Sequence, residues 1–220
     1  CAENGLIRYT SQLCLKPINS FMDIFALAIL VAFGMAALRS KDQRRRIALL
    51  GSHLRQFQVE KLMEQLADGY LRALGESDPE RRAQVWNLLA STEEVLDEQF
   101  QAFVTSFARE SEVVTRVSKL PFPYADQVLP QASFDMRKLL AIHAHGIHRL
   151  AGAHSELPAK AKAYMLSAEL FLMQHTCHWF CKSRGVASAR LQMRHQTSYQ
   201  QVLAAVSPET RQAYTAFVNR

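Results

Sequence analysis

The chain has 220 residues, of which 49% are hydrophobic and 21% charged, and this composition excludes an intrinsically disordered protein. Its formal net charge is +6, but five of its 26 basic residues fall in one short run, so the remainder is close to neutral. A nucleic-acid-binding domain carries a basic face, and nucleic-acid binding is therefore disfavoured. The sequence contains no nucleophile elbow, glycine-rich phosphate loop or carboxylate pair in apolar surroundings, which leans against an enzyme.

The first element is an apolar stretch, Ile24 to Leu38 (IFALAILVAFGMAAL), which has no charged residue. As a helix these 15 residues extend roughly 22 Å, whereas a membrane span needs about 20 residues. Extending the helix towards the N-terminus adds only Asp23 as a charge, near the headgroups, where a carboxylate costs far less than at the midplane. We predict a transmembrane helix over residues 21–38.

Three alternatives remain for this stretch. It could be the buried helix of a soluble core, although it lacks a polar face over four turns. It could be a cleaved signal peptide, although its positive charges follow the apolar run instead of preceding it. It could belong to a protein that is lipidated at Cys1. In addition, Met22 is an alternative start, in which case residues 1–21 do not belong to the mature protein.

A basic run follows the apolar stretch directly and gives it an orientation, since only Arg8 and Lys16 precede it. The positive-inside rule places residues 39–220 in the cytoplasm and residues 1–20 on the extracytoplasmic side, and we expect a bacterial inner membrane. Cationic side chains here can also contact anionic headgroups, at about 1 kcal/mol each. The predicted membrane-surface residues are Arg39, Lys41, Arg44, Arg45 and Arg46.

Residues 39–120 are predicted to contain this basic flank and a helical hairpin. Apolar residues recur at steps of three and four from Ile47 to Tyr70, which predicts one amphipathic helix over 43–74. It is placed to continue the membrane helix, and it should end at Gly75.

Two capping signals follow. The run Ser77-Asp-Pro-Glu80 combines a capping residue with an early proline and predicts a helix start. A second capping box, Ser91-Thr-Glu-Glu94, predicts a break near Ser91. The apolar stripe after it predicts a helix that reaches about Lys119.

The last hundred residues are predicted to form a loop and a helical bundle. Three prolines exclude regular helix over 121–133. Within the bundle, 134–220, the helix over 158–183 has only Glu169 as a formal charge between Ala163 and Cys181, which is typical of a central buried helix. A second membrane span is the alternative. The remaining bundle helices are predicted over 134–151, over 187–205 and from Ser207 onward.

The residues with metal-binding chemistry are concentrated in this bundle. On the central helix His175 and His178 lie roughly 60° apart, and a turn at Gly185 would bring His195 level with residue 175. We therefore predict that three imidazoles converge, a set suited to zinc or another transition metal. Asp135 should lie level with His175 and could orient it. The full set of candidate ligands is His175, His178, His195, Cys177 and Cys181.

The competing interpretation is that these are interior histidines bonded to carbonyl or hydroxyl groups, with cysteines that fill the core. The spacing matches no zinc finger, HExxH motif or haem-attachment pattern. A metal- or redox-dependent sensor or enzyme is therefore the second hypothesis. The first is an all-α protein with one N-terminal transmembrane helix followed by a cytoplasmic bundle of about six helices. In this hypothesis the cytoplasmic domain binds other proteins or itself as an accessory or scaffold subunit.

Overall fold

The computed structural model describes residues 20–120, 122, 124–152 and 155–219, apart from the side chains of residues 20, 21 and 130. All but the last residue of the predicted extracytoplasmic segment, 1–20, therefore lies outside the described residues. The described chain divides into two units, with the boundary between Leu38 and Arg39.

The all-α prediction is confirmed, with a two-stranded hairpin as its small exception. The described residues contain more helices than the six expected, because several of the long predicted helices are divided by short breaks. The helices are α1 (Ser20–Leu54), α2 (Val59–Gly75), α3 (Pro79–Phe107), α4 (Glu112–Thr115), α5 (Ala125–Val128), α6 (Met136–Leu150), α7 (Ala159–Cys181), α8 (Arg184–His195), α9 (Tyr199–Ala205) and α10 (Pro208–Val218), and the strands are β1 (Arg116–Ser118) and β2 (Ser133–Asp135).

Among the described residues, α1 is the one helix long and apolar enough to cross a membrane. The most apolar segment of this helix lies within Met22–Leu54, and none of its residues is buried. Large side chains such as Leu30 and Phe33 are 69% and 75% exposed. Residues 22–38 therefore present an apolar helical surface that the described residues of the first unit do not cover.

In the second unit the predicted helix over 43–74 is wrong in one respect, because it is divided between α1 and α2. The break follows Leu54, where the Phe57 ring turns towards Phe103, with 6.3 Å between ring centroids. The backbone N–H of Gln58 donates to Gln99 Oε1 over 2.6 Å. Side-chain contacts to α3 thus compensate for the lost helical hydrogen bonds, and α2 ends at Gly75 as predicted.

The start of α3 is confirmed, but the break predicted near Ser91 is wrong. Asp78 is the N-cap, and its carboxylate accepts from the backbone N–H groups of Glu80 and Arg81. At the second capping box, Thr92 Oγ1 donates back to Leu88 O (3.1 Å), and Glu93 is directed into the core. These side chains form hydrogen bonds within a continuous helix or across the core. They therefore do not cap a helix start, and α3 continues through Ser91.

The segment after α3 departs most from prediction. The helix expected to reach Lys119 ends at Phe107, and β1 then pairs antiparallel with β2, with Val117 opposite Phe134. The predicted loop over 121–133 contains α5 and the 3₁₀ turn Pro130–Ala132.

The bundle is built around α7, which is buried as predicted and packs against α6, α8 and α9. Gly146 allows the close approach of α6, since a Cβ there would lie 2.7 Å from Glu169 Oε2. Gly152 has φ +55 and terminates α6 near the predicted position. The helix predicted over 187–205 is divided at Gln196, where φ is +51, and Ser198 starts α9 with a capping box.

Candidate functional site

The predicted convergence of His175, His178 and His195 is absent from the structure, because the turn between α7 and α8 lies earlier than expected. Ser183 caps α8 by accepting from Val186 N–H, so Gly185 lies inside α8. Moving the turn back by two to three residues places His195 beside the ring of Phe171, with 3.9 Å between centroids. The prediction therefore failed because it placed α8 in the wrong register against α7.

Each of the three imidazoles has its own hydrogen-bond partner. His175 is buried and its Nε2 bonds to Ser188 Oγ (3.0 Å). His195 Nε2 bonds to the side-chain oxygen of Gln174 (2.9 Å). The Nδ1 atom of His178 faces an Arg190 guanidinium nitrogen (3.2 Å), which donates to it.

Electrostatics hold these histidines neutral. Burial, together with the nearby charges of Arg184 and His178, lowers the pKa of His175 to about 4. Burial and nearby arginines lower the pKa values of His178 and His195 as well. Within the described ranges, no group of three or more His, Cys, Asp or Glu side chains could hold a metal ion.

The two predicted cysteine ligands are free thiols at an apolar groove of about 360 Å³. Cys177 Sγ lies 3.8 Å from Met173 Sδ. Burial raises the pKa of Cys181 to about 11 and raises that of Cys177 further. Since the thiolate is the reactive form, little of either thiol is reactive at neutral pH, which argues against the redox alternative.

The other bundle residues singled out by the sequence have structural partners. Asp135, expected to orient His175, instead caps α6 and accepts from Arg137 and from Thr115 Oγ1 (3.0 Å). His143 is buried and its Nε2 bonds to Thr176 Oγ1 (2.9 Å). Because the Asp135 carboxylate is bonded to Arg137 and Thr115, no hydrogen bond joins it to His175 among the described residues.

Sequence patterns did not indicate a buried ion pair between α3 and α7. Glu93 is 1% exposed, and its Oε2 lies 2.6 Å from Lys162 Nζ. Its Oε1 accepts from the Tyr70 hydroxyl (2.7 Å), and Oε2 also accepts from Gly152 N–H (3.1 Å). The Ser91-Thr-Glu-Glu94 pattern draws attention to Glu93, but as a cap. Every polar contact here is internal, so the pair links elements of the fold.

The predicted membrane-surface residues divide into two groups. Arg39, Lys41, Arg44 and Arg45 are exposed. Arg46 is not, because its side chain is only 11% exposed and forms ion pairs with Asp42 and Asp126. Its guanidinium also donates to the carbonyl of Arg116 (2.7 Å), so its role is to join α1 to β1.

The sequence matches no protein-family model, and no similar curated protein or solved structure was found. Functional inference therefore depends on the chemistry of the exposed surfaces. Two surfaces stand out in the described chain: the apolar part of α1, and the basic residues that follow it.

Proposed function

We propose that this protein is a single-pass membrane protein whose helical domain, residues 39–220, acts as a protein-interaction or accessory subunit. The observation that carries the proposal is the exposed apolar surface of α1 between Met22 and Leu38. Burying a large apolar side chain contributes about 1.5–3 kcal/mol, and this stretch exposes many of them. A bilayer would cover them all, and a helix satisfies its own backbone hydrogen bonds there.

The basic residues support an orientation. Arg39, Lys41, Arg44 and Arg45 are exposed directly after the apolar stretch. The positive-inside rule then favours a cytoplasmic location for the domain, in a bacterial inner membrane. The same side chains are placed to meet anionic headgroups.

The interaction role is supported by how the domain uses its polar and apolar residues. Buried polar groups such as Glu93 are bonded to other parts of the fold. By contrast, Leu71 and Leu74 on α2 and Leu88 on α3 are 71%, 51% and 70% exposed. These residues lie on two helices that pack against each other, and exposed large apolar side chains on neighbouring helices are typical of protein-binding surfaces.

The membrane anchor is tested by adding charge to the apolar stretch. The double variant Leu30→Glu/Phe33→Glu should move the full chain from the membrane to the soluble fraction, because each charge near the bilayer centre costs about 2.5–3.5 kcal/mol. The control Val128→Glu/Met193→Glu adds the same charges at positions 77% and 83% exposed in the domain, and it should stay in the membrane.

Equal membrane association of both double variants after carbonate washing would contradict the anchor. Orientation needs its own measurement, since a reversed helix would fractionate identically. A reporter active only in the periplasm, fused after Arg220, should give no signal. A signal from it would overturn the cytoplasmic location.

The interaction role is tested by cross-linking the full chain in membranes. We expect a discrete cross-linked species, either a dimer or a complex with a second protein, that is lost in Leu71→Glu/Leu88→Glu. The control Tyr164→Glu/Met193→Glu changes equally exposed positions and should retain it. Cross-linking that is unchanged in both variants would rule out the α2–α3 surface as the contact.

A further inference from the structure

A pocket of about 330 Å³ lies within the second unit, where the start of that unit meets the end of β1 and the α7–α8 junction. We call it the basic pocket. Of the described residues that line it, five are basic and one is acidic. The basic residues are Arg39, Arg46, Lys119, Lys182 and Arg184, and the acidic residue is Asp42.

Among the described residues, most of this positive charge has no ion-pair partner. Arg46 is paired with Asp42 and Asp126. Lys182 donates only to a neutral group, the side-chain oxygen of Gln43 (3.1 Å). The side chains of Arg39, Lys119 and Arg184 have no hydrogen bond or ion pair with any described residue.

Arg184 is nevertheless held in place. Its guanidinium carbon lies 5.4 Å from the Trp179 ring centroid and 4.9 Å from that of Tyr199. Cation–π contacts of this kind orient the guanidinium without neutralising it. The pocket therefore combines four uncompensated cations from three separate chain segments, one of them fixed by aromatic rings. This arrangement favours a ligand that carries a compact anionic group, and phosphate suits it.

The walls of the pocket are partly apolar, which favours an amphiphile over a free ion. Leu120 and Phe122 line it, and Phe122 is 60% exposed. Arg39 is the first residue after Leu38, so the polypeptide enters the pocket where it leaves the apolar stretch. If that stretch spans a bilayer, this part of the chain lies at headgroup depth.

We infer that the basic pocket binds the phosphate of an anionic phospholipid headgroup, with the glycerol and first methylenes against Leu120 and Phe122. The inference rests on the proposed membrane anchorage. It goes beyond a surface charge effect, because Lys119 and Lys182 are far from the basic flank in sequence and meet Arg39 only through the fold.

The test is calorimetric titration of the full chain in a nonionic detergent at about 0.15 M ionic strength, where charges outside the pocket are screened. The probe is phosphatidylglycerol with hexanoyl chains, which is soluble and needs no bilayer. We expect saturable binding that weakens at least about tenfold in Lys119→Gln/Lys182→Gln, since two charged contacts are lost. Neither lysine side chain forms an ion pair with a described residue, so the variant should keep its thermal stability.

The matched control is Arg44→Gln/Arg45→Gln, which removes the same charge from the basic flank outside the pocket. It should bind within about twofold of the unchanged chain, because exposed charges at a distance are screened. If both double variants bound the lipid equally weakly, the pocket would not be the binding site, and general electrostatic attraction would explain the affinity.

Two further probes identify the source of the phosphate. Hexanoyl phosphatidylcholine, which has no net charge, should bind at least about tenfold more weakly than the glycerol lipid. Inorganic phosphate that binds as tightly as the lipid would overturn the assignment to a headgroup. These results do not depend on membrane insertion, so failure here is distinguishable from failure of the fractionation test above.

Discussion

Replacing Glu93 with alanine should lower the free energy of unfolding by about 3–5 kcal/mol, because it leaves a buried charge without a partner. Lys162 Nζ is 2.6 Å from the Glu93 carboxylate, and the lysine side chain is only 11% exposed. The Tyr70 hydroxyl would also lose its acceptor. Urea unfolding of the full chain in detergent measures the effect, with Trp86, which packs near the Tyr70 ring, as the fluorescent reporter.

Two control variants separate charge from packing. Glu93→Gln keeps an acceptor for Tyr70 and should cost less than Glu93→Ala. The double variant Glu93→Ala/Lys162→Met removes both charges, and it should be less destabilised than the sum of its single variants. Strict additivity in that cycle would contradict a direct ion pair.

Burial and the negative charge of Glu93 hold the pKa of Tyr70 far above 10, so its hydroxyl remains a hydrogen-bond donor over the pH range in which unfolding is measured.

The Glu93 pair shows where sequence patterns fail. Ser91-Thr-Glu-Glu94 satisfies the capping rule locally, yet Lys162 lies 69 positions further along the chain and reaches Glu93 only when α7 packs against the α2–α3 hairpin. Local patterns succeed where the determining contact is itself local. Asp78 with Pro79 and the glycine that ends α2 are examples.

The histidines show a second limit, which is register. The buried character of α7 was predictable from its composition, and so was the presence of a following helix. The facing pairs were not, because they depend on which residue makes the turn. Gly185 was the natural choice by backbone freedom, but Ser183 supplies a cap that starts α8 two residues earlier. In antiparallel helices that displacement moves each facing pair by about a turn, which brings His195 level with Phe171 instead of His175.

The strands were missed for a related reason. Only three residues long, β1 carries no alternation that could be distinguished from the preceding apolar stripe. Its partner β2 follows the proline-containing segment. Pairing across that segment, and the Arg46 side chain that donates to the Arg116 carbonyl, are non-local. The same non-local contacts create the basic pocket, so the flank was predictable and its pocket was not.

Replacing Glu169 with glutamine should raise the free energy of unfolding at pH 8 by about 1–3 kcal/mol. The side chain is fully buried. Its Oε1 accepts from Ser207 N–H (3.1 Å) and Oγ (2.8 Å), whereas Oε2 has no hydrogen-bond partner among the described residues. Burial raises the pKa of Glu169 despite hydrogen bonds from Ser207 and Thr210 and the positive charge of Arg149, which lower it. Glutamine keeps the acceptor for Ser207 without a charge.

The sign of the pH dependence follows from that raised pKa. The neutral form is favoured in the folded state, so the stability due to Glu169 is complete below its unfolded pKa of about 4.3 and is lost as pH rises through the folded pKa. His143 and His175 act oppositely: burial lowers their pKa values to about 3 and about 4, so their contribution is lost as pH falls below about 6.5. Because both effects occur in one protein, the informative measurement is the difference in unfolding free energy between Glu169→Gln and the unchanged chain from pH 5 to pH 8.5. That difference should grow with pH in favour of glutamine, and a constant difference would mean that Glu169 does not titrate within the fold.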